Sequence, residues 1–345
     1  MNFAKHFPIL DSCTYLNTAS SSILSTTLLK WRRQHDLEFF EQGSEFRAAQ
    51  VGLPLELKTS LSRFFNAKAG NVFLVPNFSY GFNTYLNSLG TDKRFLLLKE
   101  DYPSVNVAVE RRRFNCMYQE IDAQLEENIL QNLKAYRPDV FAFSLVQYIT
   151  GYRMDLEFIR KIKNMYPQLL IIADGTQFCG TERFDFENSG IDVLIASGYK
   201  WMLGGYGNGF VLMKDEMKND LLPLSFEPGH QDTLSLGSLN QSILLLEEFG
   251  MEMIEQRIES LATRAQEAFA ARGLLEHLIP GRKHSSIFNL KTDPELVEKL
   301  LEARISCVAR GKGTRVSFHF YNTDRDLDQL LEVIDKYQQV NLSGQ

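Results

Sequence analysis

The sequence predicts an α/β fold in which helices flank both faces of a mostly parallel sheet. From about residue 54, short apolar runs with β-forming residues alternate with segments whose apolar residues recur at helical spacing. Strands joined by crossover helices produce this alternation. It stops after Met213, where one long helical pattern and two more strand-like segments follow. These later segments predict a small C-terminal α+β domain.

The predicted strands of the large domain are short apolar runs bounded by charged or turn-forming residues, at 72–75, 95–99, 140–146, 169–173, 193–196 and 210–213. Helices are predicted between them at about 54–65, 79–90, 121–134 and 154–165. Asp155 is the expected N-cap of the last helix, which must end before Pro167. The sheet is therefore expected to be of the seven-stranded type, although only six strands stand out.

The C-terminal part shows a long helical pattern at 239–272, strands at 286–290 and 315–320, and a closing amphipathic helix at 326–337. We therefore predict a large domain over residues 20–255. Residues 1–19 and 256–345 are predicted to form the small domain.

Charge and cysteine content exclude several classes of protein. The 37 Lys and Arg residues are outnumbered by 43 Asp and Glu residues, so the net charge of −6 gives no general attraction to nucleic acid. Four scattered cysteines without a CxxC pair predict neither a disulfide framework nor a metal site. The sequence shows no signal peptide and no apolar run long enough for a bilayer, so we expect a cytoplasmic protein without a membrane partner.

The most informative residues follow two predicted strands. Asp174 and Gln177 come after the first, and Ser197, Lys200 and Trp201 come after the second. The carboxyl ends of parallel strands open into a shared crevice, so Asp174 and Lys200 are expected to face one ligand. An amine and a carboxylate suit pyridoxal 5'-phosphate, which needs a lysine for a Schiff base and an acid beside its pyridine nitrogen.

The order Asp-x-x-Gln, Ser-x-x-Lys-Trp and a glycine-rich turn at 204–209 resembles the class V aminotransferase family of fold-type I enzymes, which depend on pyridoxal phosphate. That family includes cysteine desulfurases, kynureninase and isopenicillin N epimerase. The resemblance extends over nearly the whole chain, from residues 15–19 to residues 315–323. It implies a homodimeric enzyme with an amino acid substrate, and the activity we expect is that of an aminotransferase.

The resemblance assigns catalytic roles to Lys200 and Asp174. Lys200 would form the Schiff base and then act as acid and base, and Asp174 would pair with the pyridine nitrogen. Gln177 would hydrogen-bond the phenolic oxygen of the cofactor. Outside this motif the three residues would be a surface lysine, a helix N-cap and a turn residue.

Other residues are assigned to the cofactor phosphate by the same resemblance. Ser79 stands where a strand leads into a helix expected near Tyr80, and helix N-termini bind phosphate; simple N-capping by Ser79 is the alternative. Ser197 is a second donor, and Tyr199 replaces the histidine of many relatives. His230 lies in the loop that the partner subunit normally contributes, and the alternative is a solvated loop histidine.

Tyr102 would stack on the pyridine ring. Tyr148 would contact the cofactor, because its Gln-Tyr-x-Thr-Gly segment resembles the cofactor-side loop of the family and is most similar to that of kynureninase. Arg315 would form a fork with the substrate α-carboxylate, and Asn17 and Ala19 would line the same side. Without the family pattern, Tyr102 would be a buried core tyrosine and Arg315 part of a surface salt bridge.

Three functions stay open from the sequence: an aminotransferase, a lyase resembling kynureninase or cysteine desulfurase, and a non-catalytic protein that kept the fold. Desulfurase chemistry is disfavoured because residues 310–314 contain no cysteine and Cys307 falls in a predicted strand. A nicotinamide-binding fold is rejected because the glycines at 204–209 do not form G-x-G-x-x-G and precede a strand. Cys179 is expected to be a small buried apolar residue.

Overall fold

A seven-stranded sheet organises the chain in the computed structural model, which describes residues 3–218, 221–275 and 283–343. The strands of the described chain, in this sheet and in two smaller ones, are β1 Thr14–Tyr15, β2 Val72–Val75, β3 Arg94–Leu98, β4 Asn115–Gln119, β5 Val140–Ser144, β6 Leu170–Asp174, β7 Val193–Ser197, β8 Gly209–Met213, β9 Ile287–Leu290, β10 Ile305–Ser306, β11 Val308–Arg310 and β12 Gly313–Ser317. Its helices are α1 Thr26–Gln42, α2 Ser44–Ala49, α3 Leu53–Phe65, α4 Phe78–Asn87, α5 Pro103–Glu110, α6 Leu125–Ala135, α7 Leu156–Met165, α8 Leu222–Phe226, α9 Thr233–Phe249, α10 Met251–Ala271, α11 Glu295–Glu302 and α12 Asp324–Ser343.

The strand order of the large sheet is β2-β8-β7-β6-β5-β3-β4, and only β8 runs against its two neighbours. The predicted mostly parallel sheet is therefore confirmed. The seventh strand, β4, is an edge strand with the sequence Asn-Cys-Met-Tyr-Gln, and only its last residue is buried. It escaped prediction because an exposed edge strand does not need the apolar run that marks a central one.

Apolar side chains fill both faces of this sheet. Phe141 and Phe143 belong to the cluster that includes residues of α3, α6, α7 and α9, whereas Val140 and Ala142 belong to the cluster with α4, α5 and α8. Successive residues of a strand point to opposite faces, so every central strand is covered twice. This confirms the prediction of helices on both faces.

Two helix boundaries differ from the prediction. The single helix expected at 239–272 is two helices, α9 and α10, which are separated by Gly250 at a φ of +86°. Glycine adopts this backbone conformation without a steric penalty, and so it can end one helix and begin the next. The helix expected to start near Tyr80 begins at Phe78, and its N-cap is Asn77, not Ser79.

The last part of the chain has a core of its own. Strands β11, β12 and β9 form an antiparallel sheet, and a separate apolar cluster joins Phe288 and Val316 to helices α10 and α12. Strand β1 pairs with β10 and places Leu16 in this cluster. We keep the predicted division into domains 20–255 and 1–19 with 256–345 as a proposal, which this separate core supports. Among the described residues, no helix is long and apolar enough to cross a membrane.

Candidate active site

A cavity of about 550 Å³ opens at the carboxyl ends of β5, β6 and β7, beside the first turn of α4. Its size is that of a pocket for a small organic molecule. Eight of the predicted site residues line it: Ser79, Tyr102, Tyr148, Asp174, Gln177, Ser197, Tyr199 and Lys200. The structure thus brings together side chains that are up to 121 positions apart in the sequence, because parallel strands end at one edge of the sheet.

Lys200 is 6% exposed, and its Nζ makes no hydrogen bond or ion pair with any described residue. It faces the rings of Tyr102 and Tyr199, at 5.7 and 5.5 Å from their centroids. Burial lowers the pKa of the amine far below its usual range, and the nearby charge of Arg315 lowers it further. The carboxylate of Asp174 opposes this shift without cancelling it. A substantial fraction of Lys200 is therefore the neutral, nucleophilic amine near neutral pH.

Asp174 ends strand β6 and is also buried. Its Oδ1 accepts a hydrogen bond from the Thr176 N–H at 2.8 Å, and the Thr176 hydroxyl accepts one from the Ser197 N–H at 3.1 Å. Burial raises the pKa of the carboxyl, while Thr176 and the charge of Lys200 lower it. A protonated ring nitrogen in this cavity would stabilise the ionised carboxylate of Asp174. The ionised carboxylate would in turn keep a pyridine nitrogen protonated.

Four tyrosines frame the cavity. Tyr102 and Tyr148 pack edge to face with ring centroids 5.3 Å apart, and Tyr199 stacks on Tyr206 at 5.2 Å. Tyr102 is the N-cap residue of α5, where its backbone N–H is bonded to the buried carboxylate of Asp101. The two pairs of rings give the cavity apolar surface on which a flat heterocycle can stack.

The first turn of α4 carries the donors expected for a phosphate. The N–H of Phe78 donates to the Ser197 hydroxyl at 2.8 Å, and the N–H of Tyr80 donates to the Asn77 side chain at 2.9 Å. The backbone N–H of Ser79 has no partner among the described residues, and the Ser79 hydroxyl donates to Ser104 at 2.8 Å. Helix N-termini attract anions through such free N–H groups.

Gln177 lies in the cavity wall with its amide already engaged. Its Nε2 donates to the carbonyl of Ala19 at 2.9 Å, and its Oε1 accepts from the indole N–H of Trp201 at 2.7 Å. One hydrogen of Nε2 stays available for a ligand. Gln177 therefore also ties the residue after Lys200 to the N-terminal segment.

Arg315 lies just behind the cavity wall and is 2% exposed. Its guanidinium donates to the carbonyl of Tyr148 at 2.7 Å and to the hydroxyl of Ser20 at 2.6 Å, and its Nε is buried without a partner. Burial, followed by the charge of Arg310, lowers the pKa of Arg315 to about 10. No carboxylate of the described residues pairs with it, so a buried cation awaits an anion from outside the chain.

Besides Arg315, three predicted residues do not line the cavity. Asn17 pairs with Ser317 through a backbone bridge, and Ala19 accepts the bond from Gln177, so both lie behind Ser20, which does reach the cavity. His230 is exposed on the loop before α9. Its predicted role in a neighbouring subunit stays a prediction.

Sequence inspection missed several residues that shape the site. Thr176 links Asp174 to Ser197, and Asp101 accepts bonds from the backbone N–H groups of Tyr102 and Ser144 at 2.6 and 2.7 Å. Asp101 directly precedes Tyr102 after a predicted strand, and that position was the available signal. Nothing in the sequence marked Ser20 or Tyr206.

A doubly covered α/β sheet with a buried lysine and a buried carboxylate at its carboxyl edge defines the fold-type I class of pyridoxal phosphate enzymes. Residues 55–330 match the family model of class-V aminotransferases. The chain belongs to the aminotransferase class V family.

Several similar proteins align with nearly the whole chain. The uncharacterized aminotransferase YcbU of Bacillus subtilis (strain 168) is 21% identical, and the alignment covers 95% of both chains. A probable cysteine desulfurase of Borreliella burgdorferi is also 21% identical, over 95% of this chain and 93% of that one. In fold, the chain resembles the apo cysteine desulfurase of Thermococcus onnurineus NA1 with a TM-score of 0.85 at 16% identity, covering 97% and 96% of the two chains.

Family membership confirms the predicted fold type, the enzyme class and pyridoxal 5'-phosphate as the cofactor. The donor set fits this cofactor. One cavity contains a suitable group for each reactive part of the cofactor. The unpartnered amine of Lys200 suits the aldehyde, the buried carboxylate of Asp174 suits the ring nitrogen, and the free N–H of Ser79 suits the phosphate.

The lowered pKa of Lys200 predicts unusual reactivity. In protein stripped of cofactor, we expect trinitrobenzenesulfonate to modify Lys200 with a pH midpoint well below the ordinary lysine value of 10.5, because burial disfavours the ammonium form. Rates measured by peptide mapping between pH 6 and 11 give the midpoint. Asp174→Asn should move it lower still, since the carboxylate stabilises the ammonium; a midpoint near 10.5 would show that Lys200 is solvated.

Proposed function

We propose that this protein is an aminotransferase in which Lys200 holds pyridoxal 5'-phosphate and the substrate is an amino acid. The observation that carries the proposal is the buried, unpartnered amine of Lys200, which shares the cavity with Asp174. When bound, the cofactor supplies an aldehyde that takes up an amino group and a protonated ring that withdraws electrons.

Lys200 would hold the cofactor through a Schiff base and, once displaced by the substrate amine, move protons. As a neutral amine it would remove the proton at the substrate α carbon, and as an ammonium it would return a proton to the neighbouring carbon of the cofactor. Its lowered pKa suits both directions, because neither form is strongly favoured near neutral pH.

Asp174 would keep the ring nitrogen protonated, and its bond from Thr176 fixes the carboxylate for that contact. Tyr102 would stack on one ring face, and Gln177 would donate its remaining amide hydrogen to the phenolic oxygen. The apolar surroundings strengthen each of these electrostatic contacts by excluding water.

The free backbone N–H of Ser79 would bind the phosphate, together with the hydroxyl of Ser197. Ser197 already accepts the Phe78 N–H, so its own proton is available to a phosphate oxygen. Tyr199 would add its hydroxyl in place of a histidine, and His230 would contribute from the partner subunit.

Arg315 would bind the substrate α-carboxylate. It is a buried guanidinium with an unpartnered Nε, and two of its other donors are held by Tyr148 and Ser20 so that the group has one orientation. Asn17 and Ala19 would support this side through the backbone, since Ala19 binds Gln177 and the Ser317 hydroxyl.

A lyase is the second candidate, because one neighbour in fold is described as a cystine C-S lyase in complex with cysteine persulfide, with a TM-score of 0.81 at 20% identity. Desulfurase chemistry that needs a mobile cysteine upstream of Arg315 finds no support in this chain. The β11–β12 turn at that place is formed by Gly311 and Lys312 and contains no cysteine. Cys307, which was predicted to lie in a strand, occupies the one position between β10 and β11; it is buried, and burial raises its pKa to about 12.

We also propose a cytoplasmic homodimer. Phe40, Val51 and Leu55 are 87%, 76% and 67% exposed on or between the neighbouring segments α1, α2 and α3. Such apolar residues are typical of a surface that another chain covers. All four cysteines are free, as a reducing compartment favours.

Borohydride trapping tests the covalent site. Reduction of the yellow holoenzyme should attach one pyridoxyl group per chain, on Lys200, as read by peptide mass spectrometry. Lys200→Ala should lose both the label and the absorption band, whereas Lys161→Ala, an exposed lysine on α7, should keep them. A label on another lysine would refute the assignment.

Single-turnover analysis distinguishes the two activities. With an amino acid alone, an aminotransferase should lose its visible band and release one equivalent of 2-oxo acid per site, and a second 2-oxo acid should restore the band. Continued turnover with a cleaved side chain and a persistent band would establish a lyase instead.

Arg315→Gln should raise KM for amino acids roughly 10- to 100-fold, because a charge-assisted contact to the α-carboxylate is lost. Cofactor content, measured after denaturation, should not change, and neither should the weak reaction of the corresponding amine without a carboxylate. Loss of cofactor from the variant would contradict the assigned role.

Phe40→Asp should shift the protein from dimer towards monomer in light scattering, because it places a charge in the apolar surface. Leu301→Asp is the matched control, since Leu301 is 52% exposed on α11. Equal behaviour of the two variants would place the interface elsewhere.

A further inference from the structure

The hairpin β11–β12 carries a second arginine close to the substrate side of the cavity. Val308 lies opposite Arg315, and Arg310 lies opposite Gly313. Residues that are directly opposite in an antiparallel pair share a face, and so do residues two positions apart on a strand. Arg310 and Arg315 therefore leave the hairpin on the same face, as diagonal neighbours.

That hairpin lies against the cavity wall. A Cβ on Gly311 would come within 3.2 Å of Ile149, the residue after Tyr148, and the carbonyl of Tyr148 accepts the bond from Arg315. The tip of the hairpin is thus in contact with the segment that lines the cavity. Arg310 is the last residue of β11 before this tip.

The charge of Arg310 acts on the cavity groups. After burial, it is the next cause of the lowered pKa of Arg315, and it also contributes to lowering the pKa of Lys200. Arg310 is exposed and forms no ion pair with a described residue. The substrate side therefore holds two arginines, and only one is needed for an α-carboxylate.

We propose that Arg310 is a specificity residue that binds a second anionic group, so that the preferred substrate is an amino acid with an acidic side chain. This rests on the proposed function, in which Arg315 takes the α-carboxylate. The guanidinium of Arg310 could bind either a carboxylate or a phosphate. Substrates with each of these side-chain groups distinguish the two.

The binding experiment uses holoenzyme and unreactive acids, so it does not depend on turnover. Isothermal titration should show that succinate or glutarate binds more tightly than propionate. Arg310→Gln should weaken the dicarboxylates roughly tenfold or more and propionate less than about twofold, because one charge-assisted contact is lost. Arg310→Lys should restore part of the affinity. Lys312→Gln is the matched control, since it removes an exposed charge from the turn of the same hairpin.

Kinetics then identify the anion. KM for aspartate, glutamate or phosphoserine should rise in Arg310→Gln, and KM for alanine and glutamine should not change. The acidic substrate whose KM rises most shows whether Arg310 binds a carboxylate or a phosphate. An equal rise in KM for amino acids with acidic and with neutral side chains would assign Arg310 to the α-carboxylate and overturn the proposal. The proposal would also be overturned if Lys312→Gln had the same effect as Arg310→Gln, or if the wild-type protein bound propionate more tightly than the dicarboxylates. Failure of the proposed function would be recognised separately, by the absence of a borohydride label on Lys200.

Discussion

Burial of an amine beside a carboxylate is the constraint on which the rest of this structure depends. A lysine and an aspartate in one water-poor cavity are costly unless each shifts its pKa or finds a partner. Lys200 has no hydrogen-bonding partner among the described residues, and Asp174 receives only local support from Thr176. The site is thus prepared for a ligand that is electrophilic at one end and basic at the other, as pyridoxal phosphate is.

The scaffold holds this unfavourable pair because each neighbouring group is anchored to a different strand end. Thr176 joins β6 to β7, Asp101 joins the start of α5 to the end of β5, and Ser197 joins β7 to α4. The apolar clusters on both faces of the sheet then keep these ends in place. Rigid strands limit how far Lys200 and Asp174 can relax, which preserves their reactivity.

Arg315 depends on the other core. It lies on β12 behind the cavity wall, and its two bonds to Tyr148 and Ser20 join the small sheet to the loop after β5 and to the N-terminal segment. The tight turn at Gly311 and Lys312 follows Arg310, so this hairpin presents basic side chains and no thiol at its tip.

The sequence by itself determined the alternation of strands and helices, and it selected Lys200 and Asp174 by their positions after two predicted strands. Arg315 was selected through the resemblance to the family. Local pattern carries this information because buried strands need apolar runs and parallel strands end at one edge. Only the tertiary structure decided that β4 closes the sheet, that Gly250 divides a helix, that Asn77 caps α4, that Ser20 binds Arg315, and that Arg310 shares a hairpin face with Arg315. Those features depend on contacts between residues far apart in the chain, or on an exposed edge and a single backbone angle, and neither leaves a periodic pattern in the sequence.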